Sequence, residues 1–231
     1  MVGYLPPETL KGTAQPRELS AGTRLCRVHT KSPKWGSTDF NATEQDPHFE
    51  GSRFDGTADD PYAYYYAALS MHTAMAEIFL RNLPFDHSGR MRIVQKRLYA
   101  GRVASTVRLT RPVRLISLGS TRHLNAIGQT NWLVRSSPEE YGKTRRWAHW
   151  LRGQVDWAQG LIWHSQHDEP FGEAVVLFGD RCGLDDQGPI LEVDPDQPSI
   201  DFDDESGLAW LQGNLRPFNA TVVRPRSPAK R

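Results

Sequence analysis

Between Thr23 and Thr30 the run Arg24-Leu25-Cys26-Arg27-Val28-His29 alternates apolar and polar residues, which predicts a half-buried strand. Lys31 to Asp60 is rich in Ser, Gly, Asp, Asn and Pro and reads as loop, unusually long for a compact domain and therefore a place to look for function. Tyr62 to Leu69 is aromatic and apolar throughout, as in a buried strand. Ser70 then suits an N-cap, and Met71, Ala74, Met75, Ile78 and Phe79 recur at helical spacing along a helix ending near Asn82. Arg92 to Leu118 predicts strands broken at Arg111-Pro112, and Ser120 to Gly128 a short helical or irregular piece. A helix over Pro138 to Trp157, with Ser137 as its cap, would turn Trp147, Trp150 and Leu151 inward. Gly160–Trp163 and Ala174–Phe178 predict two short apolar strands. Strands precede and follow the helices without regular alternation, so the expected class is α+β.

The ends differ from this middle. Residues 1–22 scatter prolines and glycines among polar residues and read as an extended arm. Residues 184–231 turn acidic and proline-rich and finish in a basic stretch with the composition of a disordered tail, leaving 23–183 as the folded domain. The 28 basic and 27 acidic residues of the 231 nearly cancel, to +1, which argues against direct nucleic-acid binding as the main task. With no basic start before an apolar run and no stretch of membrane-spanning length, the expected location is the cytoplasm, without membrane attachment. Cys26 and Cys182 read as two reduced, partly buried thiols. His29, His164 and His167 lack the spacing of a zinc pair, so no metal is expected.

Candidate chemistry begins at Glu77, two turns past the Ser70 cap and eleven positions after Tyr66. Ala67, Ala68, Ala74 and Ala76 surround the strand-to-helix turn and leave room for a ligand or another strand. Arg53 lies in Gly51-Ser52-Arg53-Phe54-Asp55, whose glycine permits a bent backbone. Ser165 ends Gly160-Leu161-Ile162-Trp163-His164-Ser165. Strand alternation puts Tyr64 and Tyr66 on one face and Tyr65 on the other. Trp147, Trp150, Trp157 and Trp163 suit a core, and Gly119 and Gly128 make no phosphate loop. Singly, each of these residues is more ordinary as a surface charge or a packed side chain.

In order and spacing, four stretches resemble the RES-domain family, named for an arginine, a glutamate and a serine. Its members carry Tyr-Arg at a strand end, Gly-Gly-Arg-Trp-Asn, Tyr-Leu-Ala-x-Ser-x-x-Thr-Ala-x-x-Glu, and a late Gly-Ile-x-Tyr-x-Ser. Here stand Cys26-Arg27, the Gly51–Asp55 segment, Tyr66-Ala67-Ala68-Leu69-Ser70 continuing through Thr73-Ala74 to Glu77, and Gly160 to Ser165. Tyr141 to Leu151 resembles the helix before the serine strand, and Val175 to Phe178 the strand after it. The similarity spans roughly Thr23 to Phe178. Ser52, Phe54 and Asp55 depart from the usual Gly, Trp and Asn, which bears on substrate fit more than on catalysis.

The resemblance implies an ADP-ribosyltransferase-like central β structure with flanking helices, and an enzyme that consumes NAD+. It implies Glu77, Arg53, Tyr66 and Ser165 as catalytic residues, with Arg27, Arg53 and Tyr66 binding substrate. In these roles Glu77 would stabilise positive charge at the ribose, and Arg53 or Arg27 would fork onto the diphosphate. Tyr66 would stack on nicotinamide, and Ser165 would orient the ribose or the amide. Ser165 is no acyl nucleophile, since no Gly-x-Ser-x-Gly elbow is present. The resemblance further implies a toxin held by a protein antitoxin that occludes the cleft, with water or phosphate as acceptor. A protein-modifying mono-ADP-ribosyltransferase is a second reading, weakened by Met75 where such enzymes often carry another acid two positions before the glutamate. An inactive RES-like interaction module is a third.

Overall fold

A computed structural model describes residues 5–33, 35–170, 172–182 and 188–223. In chain order the elements are β1 (Pro16–Leu19), β2 (Arg24–Thr30), β3 (Tyr64–Ala68), α1 (Met71–Met75, running on as π-helix over Ala76–Leu80), β4 (Arg92–Val94) and α2 (Lys96–Tyr99). Next come β5 (Arg102–Leu109), β6 (Val113–Ser117), α3 (Thr121–Ala126), α4 (Trp132–Arg135), α5 (Tyr141–Gln154), β7 (Gly160–His164) and β8 (Glu173–Phe178). The last are α6 (Gly179–Cys182), β9 (Leu191–Val193), β10 (Ile200–Asp201), α7 (Glu205–Leu215) and β11 (Ala220–Val222). The class is α+β.

Among the described residues one nine-stranded sheet runs β1-β6-β7-β8-β3-β2-β5-β10, with β9 also on β5, while β11 and β4 pair separately. Only β6 and β7 run parallel within the large sheet. The predicted alternation in β3 sorts its side chains as expected. Tyr64, with Tyr66 packed against it, joins the core formed with Trp147, Leu151 and Trp163 beneath α5. Tyr65 and Ala67 join the opposite core with Leu25, Val107 and Leu115. A third core lies between the helix after β3 and α7, around Met75, Phe79, Phe202 and Leu211. Cys26 and Cys182 are both buried thiols, in no disulfide among the described residues.

Several elements differ from the expectation, each for a physical reason. The segment read as an arm supplies β1, an edge strand paired from Pro16↔Ile116 to Leu19↔Val113, and Ala14 is buried in the core. The segment read as an acidic extension supplies β9 and β10 on the edge of β5, and α7 over α1. Its charges are used there: Asp194, with no exposed side-chain surface, pairs with Arg24 and Arg108. The basic stretch 224–231 lies outside the described residues. Four-residue α2 is too short to show helical periodicity. Ser137 caps no helix N–H, and the first turn at Pro138–Glu140 is 3-10. No described helix is long and apolar enough to cross a membrane.

Candidate active site

β2 and β3 are neighbours in the sheet yet pair at a single position, Cys26↔Ala68. The next residues, Arg27 and Val28 on one strand and Ala67 and Tyr66 on the other, separate and line a cavity. Ser52 and Arg53 from the loop wall one side of it, and Glu77 and Arg81 from the π-helical turn wall another. The cleft is therefore a split in the sheet, with small Ala67, Ala68 and Ala74 leaving the space open.

Glu77 sits where the α-helix widens into Ala76–Leu80, and such π-turns recur at functional sites. The helix is fixed at its first turn and along its buried face. Ser70 Oγ accepts from Thr73 N–H at 3.0 Å, the Thr73 hydroxyl donates to Asp168 at 2.6 Å, and Met75, Ala76, Phe79 and Leu80 are buried. Glu77 is thus presented from a rigid base, its side chain 17% exposed and 3.9 Å from the Arg81 guanidinium.

Arg53 is only 2% exposed, although charged. Its Nη2 donates to the Ser136 carbonyl at 3.2 Å, and its guanidinium lies 5.2 Å from the centre of the Tyr141 ring. Burial lowers its pKa below the usual arginine value, Tyr141 opposes that, and Arg81 adds to it; an arginine still keeps its charge. The loop before it turns through Glu50 and Gly51, both at positive φ (53° and 65°). At Gly51 a Cβ would lie 2.7 Å from both Arg145 Nη2 and Asp55 Oδ2, so the glycine serves conformation and space together.

Tyr66 turns its hydroxyl away from the cleft, accepting from Phe54 N–H at 2.8 Å, and leaves its ring at the cavity edge-on to Trp163. Burial, followed by neighbouring Asp55, holds the phenol well above its usual pKa, so it stays neutral. The Arg27 guanidinium leans to the opposite face, 4.4 Å from the centre of the Tyr65 ring, and donates to the Asp39 carbonyl at 3.0 Å. Ser165 is 0% exposed and does not line the cavity; its hydroxyl accepts from His167 N–H at 3.1 Å and forms the turn after β7. The structure therefore brings Arg53, Tyr66 and Glu77 to one cleft, sets Arg27 on its wall with the guanidinium turned to the other face, and leaves Ser165 off its lining.

Arg81 also lines the cavity, and His167 lies on the Ser165 turn, off its lining. Arg81 follows Glu77 by four positions, a spacing readable on a helix. His167 is tuned by the same charges: burial lowers its pKa most, Glu77 raises it, and Arg81 and Arg53 lower it. Its only signal in the sequence is its place two positions after Ser165. Cys26 also lines the cavity, but burial raises its pKa and keeps it a thiol.

Asp55 beneath the cleft gives a prediction. It is buried, its Oδ1 has no partner, and burial raises its pKa despite the hydrogen bond from Ser52 N–H. A carboxyl with a raised native pKa contributes stability below its unfolded pKa, and that contribution is lost as pH rises through the native value. Asp55→Asn should therefore raise the melting temperature at pH 8 relative to wild type, with the gain vanishing towards pH 4. A gain that is flat with pH would show that the charge is tolerated.

The RES domain family model matches residues 24–196, three quarters of the chain and all of the cleft. Among solved structures, a chain of the crystal structure of the M. tuberculosis MbcT–MbcA toxin–antitoxin complex superposes with a TM-score of 0.53 at 15% identity. That match covers 80% of this chain and 86% of the other. At such identity the likeness is one of fold alone, a mixed arrangement of sheet and flanking helices. No protein of curated function matches the chain. With Arg53 and Glu77 on one cleft and a family-model match across three quarters of its length, the chain belongs to the RES-domain family.

Proposed function

We propose that this protein is the toxin of a toxin–antitoxin pair and that it cleaves the nicotinamide–ribose bond of NAD+, with water or phosphate as acceptor. The observation that carries the reading is the juxtaposition of one carboxylate, Glu77, with buried Arg53 and the Tyr66 ring in the β2/β3 split. When the bond from C1′ to the pyridinium nitrogen breaks, its electron pair leaves with nicotinamide and positive charge develops on the ribose. A fixed carboxylate facing that charge stabilises the transition state without reorganising. The Tyr66 ring offers a π face to the cationic nicotinamide. Arg53, already desolvated and held by Ser136, offers a pre-oriented donor to the diphosphate. The acceptor oxygen then bonds to C1′ and releases its proton. Ser165 contributes through its turn, which carries His167 and, through Asp168, ties to Thr73 on the Glu77 helix.

Met75 is fully buried, so the position two before Glu77 offers no acid to activate a protein acceptor. This favours a small acceptor. The family, and the toxin–antitoxin complex from which the fold match comes, support a protein antitoxin as partner. Incubation with NAD+, with and without phosphate, should release nicotinamide, and mass spectrometry of the other product identifies the acceptor. ADP-ribose without added phosphate marks a glycohydrolase, and a phosphorylated ADP-ribose marks a phosphorylase. No loss of NAD+ from folded protein in either buffer would sink the reading and leave a protein-modifying or inactive module.

A further inference from the structure

We infer that Arg81 is an anion-binding residue of the cleft, which exchanges its contact with Glu77 for the phosphate oxygens of an incoming diphosphate and pairs there with Arg53. An ordinary helix-end arginine four residues after a glutamate would be solvated and of little consequence. Arg81 is placed differently. Its Nε is buried and has no hydrogen-bond partner, and its one carboxylate contact among the described residues, Glu77, is long at 3.9 Å. Its guanidinium lies 5.4 Å from the centre of the Tyr141 ring, the same ring that Arg53 approaches at 5.2 Å. Two guanidinium groups thus converge on one buried tyrosine, beside a cavity that both line together with Glu77. That cluster carries a net positive charge and unused donors, and a ligand with two or more negative oxygens completes it. Arg27, the other arginine on the cavity wall, has its guanidinium engaged with Tyr65 and the Asp39 carbonyl. Arg81 therefore makes the better second arm of an anion clamp.

The natural ligand named here rests on the NAD+ reading, but the anion site can be tested apart from it. Titration calorimetry with inorganic pyrophosphate should show binding to wild type. Binding should weaken about tenfold or more in Arg81→Gln, the scale of one lost charge-assisted contact, with Arg81→Lys intermediate. Glu77→Gln should bind pyrophosphate more tightly, because the competing carboxylate is gone. Melting curves check that each variant is folded, and the Lys variant carries the test if Gln unfolds. Wild-type protein that ignores pyrophosphate, Arg81→Gln or Arg81→Lys that binds it as wild type does, or Glu77→Gln that gains nothing would overturn the inference. The expected pyrophosphate pattern without any NAD+ cleavage would retain the anion clamp and reject the NAD+ reading instead.

Discussion

Glu77→Gln is expected to cut nicotinamide release from NAD+ by about a hundredfold to a thousandfold while the protein melts within a degree or two of wild type. The size follows from the role. Glutamine keeps shape and hydrogen-bonding capacity but removes the charge that opposes the developing cation, and deleting one such electrostatic stabiliser is worth about 10²–10³ in rate. The small stability change follows from the surroundings. The only ion pair of Glu77 among the described residues is the 3.9 Å contact with Arg81, on a side chain 17% exposed, and pairs of that kind contribute about 0–1 kcal/mol. The helix that carries Glu77 is held by other groups, the Ser70 cap, the Thr73–Asp168 bond and the buried apolar face. Nicotinamide release and thermal melting on the same preparation decide the matter. Full activity in the variant would remove Glu77 from the chemistry, and a large fall in melting temperature would make it structural.

The part of this site that was legible in sequence is the part set by local spacing. A cap at Ser70, an apolar stripe after it and a tyrosine eleven residues before Glu77 follow from periodicities of two and 3.6, and the structure keeps Tyr66 and Glu77 on one cleft. The shift from α to π after Met75 was not legible, because the apolar residues at 75, 78 and 79 suit either winding. Nor was the depth of Ser165. A serine after an apolar strand reads as a hydroxyl at the strand end, whereas the turn it opens folds back and buries it against its own backbone. The two chain ends illustrate a different limit. Pro16–Leu19 has little strand character of its own and becomes β1 by pairing with β6, and the aspartates after residue 190 look like solvated extension until Arg24 and Arg108 meet Asp194. Partners almost a hundred residues away or more decide both.

Arg145→Met should lower stability by about 3 kcal/mol or more, one missing donor at each of three loop carbonyls, and should weaken substrate binding even in molecules that remain folded. Arg145 is 0% exposed, on the face of α5 beneath the long loop. Its Nε donates to the Ser52 carbonyl at 3.0 Å and its Nη1 to the carbonyls of Phe49, at 3.1 Å, and Asp46. The neighbouring Thr144 hydroxyl donates to the Arg53 carbonyl at 2.7 Å. One turn of helix thus satisfies the backbone of a segment that otherwise has little regular structure and that must pass through positive φ at Glu50 and Gly51. Methionine fills much of the volume but leaves those carbonyls buried without donors. For a chain of this size the loss corresponds to a melting temperature lower by roughly 6–12 °C. Because Arg53 follows Ser52 directly, its guanidinium would lose its fixed place over Tyr141, so the effect on turnover should fall on KM more than on kcat. Arg145→Lys, which keeps the charge but only one end of the fork, should fall between. An unchanged melting curve in the methionine variant would show that the loop is held elsewhere, and that this helix does not position Arg53.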